Sequence, residues 1–416
     1  MKNLFRKALP LLFSGGVFLF SSAQPSFQVF NSGNSFLPYN TVRWVTCNRS
    51  TNDLWVATDL GVAKVSSAGW TIYTSSNSPL PENDVRVIFI DRSGNTWLGT
   101  QGSGLVKFDG LSWSVYNMGN SGIPDNQVKA ISQDTAGNMW VGTPSGLSKF
   151  DGNTWMVWDF SNSNLISTHI TSIAIGSDNI KRIGTLNGGM AYFNDTTFTI
   201  YSYWTGNFPE NTVTSIAVDN QNRPWACLNS TGIIVHMGGP AWNWMNTGNS
   251  GIPSDVLTHV YIDATQKKYI GSQNKGIIIY DGNSFVNYDP GNSSFPDTWA
   301  SASVTDTSGI LWVGTFNNGL VKINFNPSGI VSSGISKHFT VFPNPALGKI
   351  SIQANEKIER IEISDLSGKL QLEKRPLSTL TSFDLEGISG GSYFIRVYFS
   401  GGESAVRRLI VTGSGH

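Results

Sequence analysis

A ten-residue phrase recurs along this 416-residue chain. Asp91-Arg92-Ser93-Gly94-Asn95-Thr96-Trp97-Leu98-Gly99-Thr100 is echoed by Asp134-Thr135-Ala136-Gly137-Asn138-Met139-Trp140-Val141-Gly142-Thr143. It returns as Asp306-Thr307-Ser308-Gly309-Ile310-Leu311-Trp312-Val313-Gly314-Thr315. Weaker copies centre on Trp55, Arg182, Trp225 and Tyr269. With Trp55, Trp97, Trp140, Arg182, Trp225, Tyr269 and Trp312 as markers, successive spacings are 42, 43, 42, 43, 44 and 43 residues. A fixed period of this size, held over seven copies, restricts the chain to an array of like supersecondary units.

Each unit reads as four short strands. In the second copy, Val85–Ile90 is strand A, Thr96–Thr100 strand B, Leu105–Phe108 strand C and Ser112–Tyr116 strand D. Asp-x-x-Gly between A and B suits a tight turn: Asp caps backbone N–H groups and Gly takes a positive φ. Asp109-Gly110, Asp151-Gly152 and Asp281-Gly282 repeat that chemistry between C and D. Composition agrees. From Pro25 to Ile330 there are 15 basic and 20 acidic residues, and only Glu82 and Glu210 are glutamates. Aspartate serves turns where glutamate serves helices, so this stretch is expected to be almost entirely β. Four strands per unit, seven times over, predicts an all-β, seven-bladed β-propeller.

The outer strand has its own signature, aromatic-x-x-aromatic followed by Asn-Ser, as in Trp70/Tyr73/Asn77 and Trp113/Tyr116/Asn120. The seventh copy stops after strand C at Val321-Lys322-Ile323. Phe27-Gln28-Val29-Phe30, followed by Asn34-Ser35 at the same offset, supplies the missing strand. The N-terminal strand should therefore close the last blade and leave no free edge. The two cysteines, Cys47 and Cys227, fall in blades three apart, so no disulfide is expected between them.

The ends of the chain carry different information. Lys2, Arg6 and Lys7, the apolar run Ala8–Phe20 and the small residues Ser21-Ser22-Ala23 read as a signal peptide over 1–23. No other stretch is apolar enough to predict a transmembrane segment. After the propeller, expected over 25–325, residues 326–337 have linker chemistry. Residues 338–416 carry 9 basic and 8 acidic residues and alternate as strands at Lys349–Ile352, Arg360–Ile363 and Tyr393–Tyr398. With turns at Ser367-Gly368 and Gly401-Gly402, they predict a small β-sandwich.

The unit Pro-x-Asn-x-Val…Asp-x-x-Gly-x-x-Trp-x-Gly-Thr…Gly-Leu-x-x-Phe-Asp-Gly resembles the two-component regulator propeller repeat over about residues 25–325. Such repeats often form the sensor half of hybrid histidine kinases that recognise polysaccharide fragments. This chain has one propeller's worth of repeats and no kinase, so the resemblance implies the fold and sugar binding rather than signalling. Val341-Phe342-Pro343-Asn344-Pro345, Asp365-Leu366-Ser367-Gly368 and Gly390–Val397 resemble the type A C-terminal sorting domain of type IX secretion. That resemblance implies a Bacteroidetes-type bacterium, passage across the outer membrane by the type IX machinery acting through 338–416, and a secreted or cell-surface destination.

Net charge is zero, with 28 basic and 28 acidic residues. That balance argues against a nucleic-acid partner, whose phosphates demand a basic surface. Most aspartates recur at turn positions, and no spacing suggests a metal or cofactor site. His259 and Tyr261, two apart on one strand face, are the catalytic candidates, as base and acid of a polysaccharide lyase. Binding is the stronger expectation, to a glycan or a peptide. The loops joining D to A and B to C share one face, which would present Tyr39, Asn40, Lys275, Trp204, Phe208, Trp299, Phe316, Asn317 and Asn318. Of these, Trp299 and Phe316 stand out because large aromatics are poor turn residues. A purely structural surface protein is the remaining alternative.

Overall fold

The computed structural model describes residues 25–206, 208–239, 241–325, 339–365, 369–400 and 404–412. The expected signal peptide, the linker at 326–337 and the turns at Ser367-Gly368 and Gly401-Gly402 lie outside the described residues. The described residues fall into two compact units, Pro25–Phe325 and a C-terminal unit.

Pro25–Phe325 forms seven four-stranded antiparallel sheets, the seven expected blades. Blade 1 consists of Val42–Cys47, Leu54–Thr58, Gly61–Ser66 and Gly69–Tyr73, as strands A to D. Blade 7 takes Ala300–Thr305, Leu311–Thr315 and Leu320–Asn324 from one end of the array and Ser26–Phe30 from the other. Phe27 pairs with Ile323 and Phe30 with Leu320, so the N-terminal strand closes the ring as the repeat register required. Phe30 then stacks on Trp312 with ring centroids 5.8 Å apart.

Burial follows strand position. Every strand B is buried throughout, whereas strand D is mostly half-buried or exposed. The apolar clusters lie between neighbouring blades. One joins Trp55 and Val62 of blade 1 to Val85, Leu98 and Phe108 of blade 2. The glycine of Trp-x-Gly-Thr marks a close approach between blades: a Cβ on Gly142 would sit 2.5 Å from Ile170 Cγ2 of the next blade.

The repeated aspartate does more than cap a turn. Asp91 Oδ1 accepts from the backbone N–H of Ser93 and Asn95, while Oδ2 accepts from the Trp97 indole at 2.8 Å. Asp134–Trp140, Asp219–Trp225 and Asp306–Trp312 repeat the indole bond at 3.0, 3.2 and 3.0 Å. In blade 6 the Tyr269 hydroxyl replaces the indole and donates to Asp263. The long separation between Asp and Trp in the phrase is thus one bonded unit, turn to strand. Blade 4 lacks both partners. Gly176 stands at the aspartate position, and Arg182, at the tryptophan position, pairs with Asp178 instead.

The C-terminal unit is a six-stranded, nearly closed sheet. Lys349–Ile352 and Arg360–Ile363, expected as separate strands, belong to one 16-residue strand, Lys349–Ser364. Its register shifts between Gln353 and Ile358. The first half pairs with Phe339–Phe342 and Ser378–Asp384, and the second with Gly391–Phe399 and Leu370–Lys374. A strand that changes partners midway folds one sheet into two sandwich-like layers around Ile350, Ile352, Ile361, Ile363, Ile395 and Val397. No α-helix occurs among the described residues, and none there is long and apolar enough to cross a membrane.

Candidate binding mouth of the propeller

Antiparallel order fixes which loops meet. Each strand A begins where the D–A connection arrives, and each B–C hairpin returns to that end. The A–B and C–D hairpins occupy the other end. The central channel opens on the first face between the starts of the seven A strands.

At that opening the A–B register is broken at one repeated place. The shifts fall between Val42 and Trp44, Val85 and Val87, Ile170 and Ser172, Val213 and Ser215, Leu257 and His259, and Ala300 and Ala302. The residues left over are Arg43, Arg86, Thr171, Thr214, Thr258 and Ser301. In blade 3 strand A starts one residue later, at Ala130, and Lys129 stands at the same offset. A bulge re-aims the extra side chain, so six repositioned groups, with Lys129 at the corresponding offset of blade 3, stand around the mouth.

Four of them stitch the ring together. Thr171 Oγ1 donates to Val213 O at 2.5 Å, Thr214 Oγ1 to Leu257 O at 2.9 Å and Thr258 Oγ1 to Ala300 O at 2.6 Å. Ser301 Oγ carries the series across the closure by donating to Val42 O of blade 1 at 2.5 Å. The other three, on consecutive blades, are cations. Arg43 makes a two-point pair with Asp59, at 2.6 and 2.9 Å. Arg86 meets Asp84 through one nitrogen at 2.5 Å, leaving Arg86 Nε and Asp84 Oδ1 buried without partners. Gln101 Oε1, whose backbone N–H bonds Asp84 O, is likewise buried and unpartnered.

The electrostatics of this arc are strained. Burial, and then the neighbouring Arg86 and Arg43 charges, pull the Lys129 ammonium below its ordinary pKa, with Asp84 and Asp125 opposing. Burial lifts Asp84 above the usual carboxylate range despite Arg86. Burial and the nearby Lys129 charge lower His169.

Beside the arc lies an aromatic stack. Trp299 and Phe316 are parallel within 10°, their centroids 4.2 Å apart. Buried Asp297 holds both loops: Oδ1 accepts from Trp299 N and Oδ2 from Asn317 N. Phe316 N also donates to Trp299 O. The Arg43 guanidinium lies over the Phe316 ring, 5.1 Å from its centroid, which makes Trp299 the terminal ring of the series. Cation, ring and ring thus form one column at the channel mouth.

The other expected residues divide. Asn318 braces its loop by donating to Pro296 O, while Asn317 is exposed. Asn40 accepts from Ser32 N, and its carbonyl accepts from Gly319 N, so the Tyr39–Asn40 segment adjoins the blade 7 loop. Tyr39 is exposed, and Lys275 extends from the blade 6 hairpin. Trp204, on a one-turn 3-10 segment between blades 4 and 5, is exposed on the far side of the ring. Phe208, expected on the exposed face, is instead buried in the core with Val213 and Met190, edge-on to Trp242. Sequence reading passed over Arg43, Arg86 and Lys129. The available signal was their departure from Thr or Ser at a fixed repeat offset.

His259 lines the channel cavity, of about 300 Å3, together with Trp44, Lys129, Tyr261 and Ser303. Its ring is 5.6 Å from Trp44, edge-on. Burial pushes its pKa down to about 4, against a nearby Ser303 backbone contact, and neither ring nitrogen has a hydrogen-bond partner. The Tyr261 hydroxyl bonds Thr305 Oγ1 and Arg49 rather than His259. The two candidate catalytic groups are therefore not joined as an acid–base pair. Both cysteines are buried and unpaired. Among the described residues no group of three or more His, Cys, Asp or Glu is placed to hold a metal.

Comparison with known proteins supports both halves of the chain. Residues 340–412 match the secretion system C-terminal sorting domain, and residues 79–102 and 122–145 match the two-component regulator propeller. None of the curated proteins compared matches the sequence. Among solved structures, the extracellular domain of a hybrid two-component system of B. thetaiotaomicron is similar, with 19% identity and a TM-score of 0.62. The match covers 94% of this chain and 58% of that one. PorZ of Porphyromonas gingivalis, a surface component of the type IX secretion system, is 17% identical over 90% of this chain and 60% of its own, with a TM-score of 0.56. Virginiamycin B lyase of Staphylococcus aureus is 15% identical over 72% of this chain and 99% of its own, with a TM-score of 0.58. This chain thus spans 58% and 60% of the first two. At these identities the likenesses establish the fold.

Proposed function

We propose that this exported propeller is a binding module and that its ligand is a glycan, seated at the channel mouth against Trp299. The sorting domain marks the chain for export and implies engagement with the type IX secretion machinery. The observation that carries the glycan reading is the Arg43–Phe316–Trp299 column. A terminal indole fixed by Asp297 offers a rigid apolar platform for the face of a sugar ring, at little entropic cost because its loop is already braced. Exposed Asn317 and Tyr39, on adjoining loops, add polar groups suited to sugar hydroxyls. The two glutamates of the propeller are engaged in bonds between its loops. Glu82 accepts from Gly102 N, and Glu210 from Ser230 N and Thr231 Oγ1.

The test is a glycan array read with the unmodified protein and with Trp299→Ala. Binding should fall about tenfold or more in the variant, the scale of one lost stacking contact. Binding that is indifferent to Trp299→Ala would remove the site, and binding to no glycan would remove the function.

A further inference from the structure

The cation arc constrains what the ligand carries. This inference rests on the glycan reading and narrows it. Blades 4 to 7 show that a hydroxyl at the bulge suffices to join neighbouring blades. Arg43, Arg86 and Lys129 occupy that same offset and do no such stitching. Desolvating a cation is costly unless an anion compensates it, and the three differ in how far they are compensated. Arg43 is matched in full by Asp59. Arg86 is matched through a single nitrogen. Lys129, half-buried, makes no hydrogen bond or ion pair through its ammonium among the described residues. Its nearest carboxylate in sequence, Asp125, is spent on Gln127 N and Ser145 Oγ.

We propose that the propeller recognises an acidic sugar whose carboxylate docks between Lys129 and Arg86 while its chain stacks on Trp299. The ammonium supplies the unmatched charge, and the incompletely bonded Arg86 fork supplies direction. Asp84, with one oxygen unpartnered beside Arg86, can re-pair with that guanidinium when the carboxylate arrives. The three cations lie on one arc and Trp299 closes it at blade 7, so an elongated saccharide lying across the mouth meets both.

The experiment uses the full chain and an array of oligouronates, their methyl esters and the corresponding neutral hexose oligomers. The acidic members should bind, esterification should weaken them about tenfold, and added salt should weaken them further. Lys129→Thr installs the residue that blades 4 to 6 carry at this offset, and an unchanged melting profile verifies folding. It should reduce acidic binding about tenfold and bring acidic and esterified ligands to equal affinity. Equal binding of acidic and neutral oligomers, insensitive to Lys129→Thr yet abolished by Trp299→Ala, overturns the carboxylate inference and leaves the glycan site standing. Binding unaffected by Trp299→Ala, or absent altogether, overturns both.

Discussion

Ser301 donates its hydroxyl to the carbonyl of Val42, joining the last blade to the first at 2.5 Å. The bond is the seventh-blade version of the Thr171, Thr214 and Thr258 contacts, so a local bulge geometry also serves ring closure. Replacing Ser301 with Ala leaves the Val42 carbonyl without this donor. The expected loss is about 1 kcal/mol of unfolding free energy. Urea denaturation would measure it, and Ser301→Thr should keep most of it.

The Asp134–Trp140 bond predicts a larger effect. Burial opposes ionisation of Asp134, but the Trp140 and Asn138 donors outweigh it and hold the carboxyl below its ordinary pKa. Asp134→Ala strands the buried Trp140 indole and removes the acceptor of the Ala136 and Asn138 N–H groups in the turn. A cost of about 2–4 kcal/mol is expected. Because the folded pKa is depressed, this stabilisation is present above the unfolded value near 3.8 and is lost as pH falls through the lower folded one. The acid limb below about pH 4 should therefore flatten in Asp134→Asn.

His259 acts in a different pH window. Its folded pKa, near 4, lies below the ordinary 6.5, so the unfolded chain binds the proton first. Stability is complete above the ordinary value and declines as pH drops from there toward 4. Between pH 7 and pH 5 the loss should be about 2 kcal/mol. Denaturant midpoints at those two pH values should differ in the native chain and converge in His259→Leu. No convergence would mean that the imidazole is hydrated in the channel.

Gly142 tests blade spacing. An alanine methyl would lie 2.5 Å from Ile170 Cγ2 and 3.3 Å from the Ala130 Cβ. Overpacking of about 1–3 kcal/mol is expected from Gly142→Ala. Blade 1 carries Ala57 and blade 5 Cys227 at this offset, both buried. The reverse change, Ala57→Gly, should therefore leave a void rather than relieve a clash, and calorimetry on both variants would separate the two signs.

The ring was legible because its determinants are local and repeated. Asp-x-x-Gly sets the turn, Trp-x-Gly-Thr the buried strand, and the Phe27–Phe30 pattern matched the strand missing from blade 7. The binding mouth was not, because a register break leaves no mark in the alternation of the residues themselves: Arg43 and Arg86 look like solvated strand residues until the pairing sets them out of register. Loop residues also misled where tertiary packing intervened. Phe208 shares a connection with exposed Tyr203 and Trp204 yet turns inward to Trp242. In the C-terminal unit, alternation at Lys349–Ile352 and Arg360–Ile363 located both strand faces, but nothing local showed that the backbone stays extended between them.

The pairing of Phe27 with Ile323 imposes an order of events. These residues are 323 minus 27, or 296, positions apart, so the contact that seals the ring is among the most distant in the chain. Such contacts form late, because the loop-closure entropy must be met before they contribute. Until strand C of blade 7 is available, Ser26–Phe30 has no partner and six blades remain an open arc with two unsealed edges. Residues 340–412 follow that strand in the chain. By the time the export address is made, every segment required to seal the cargo already exists, so presentation of the address and completion of the cargo are coupled by sequence order.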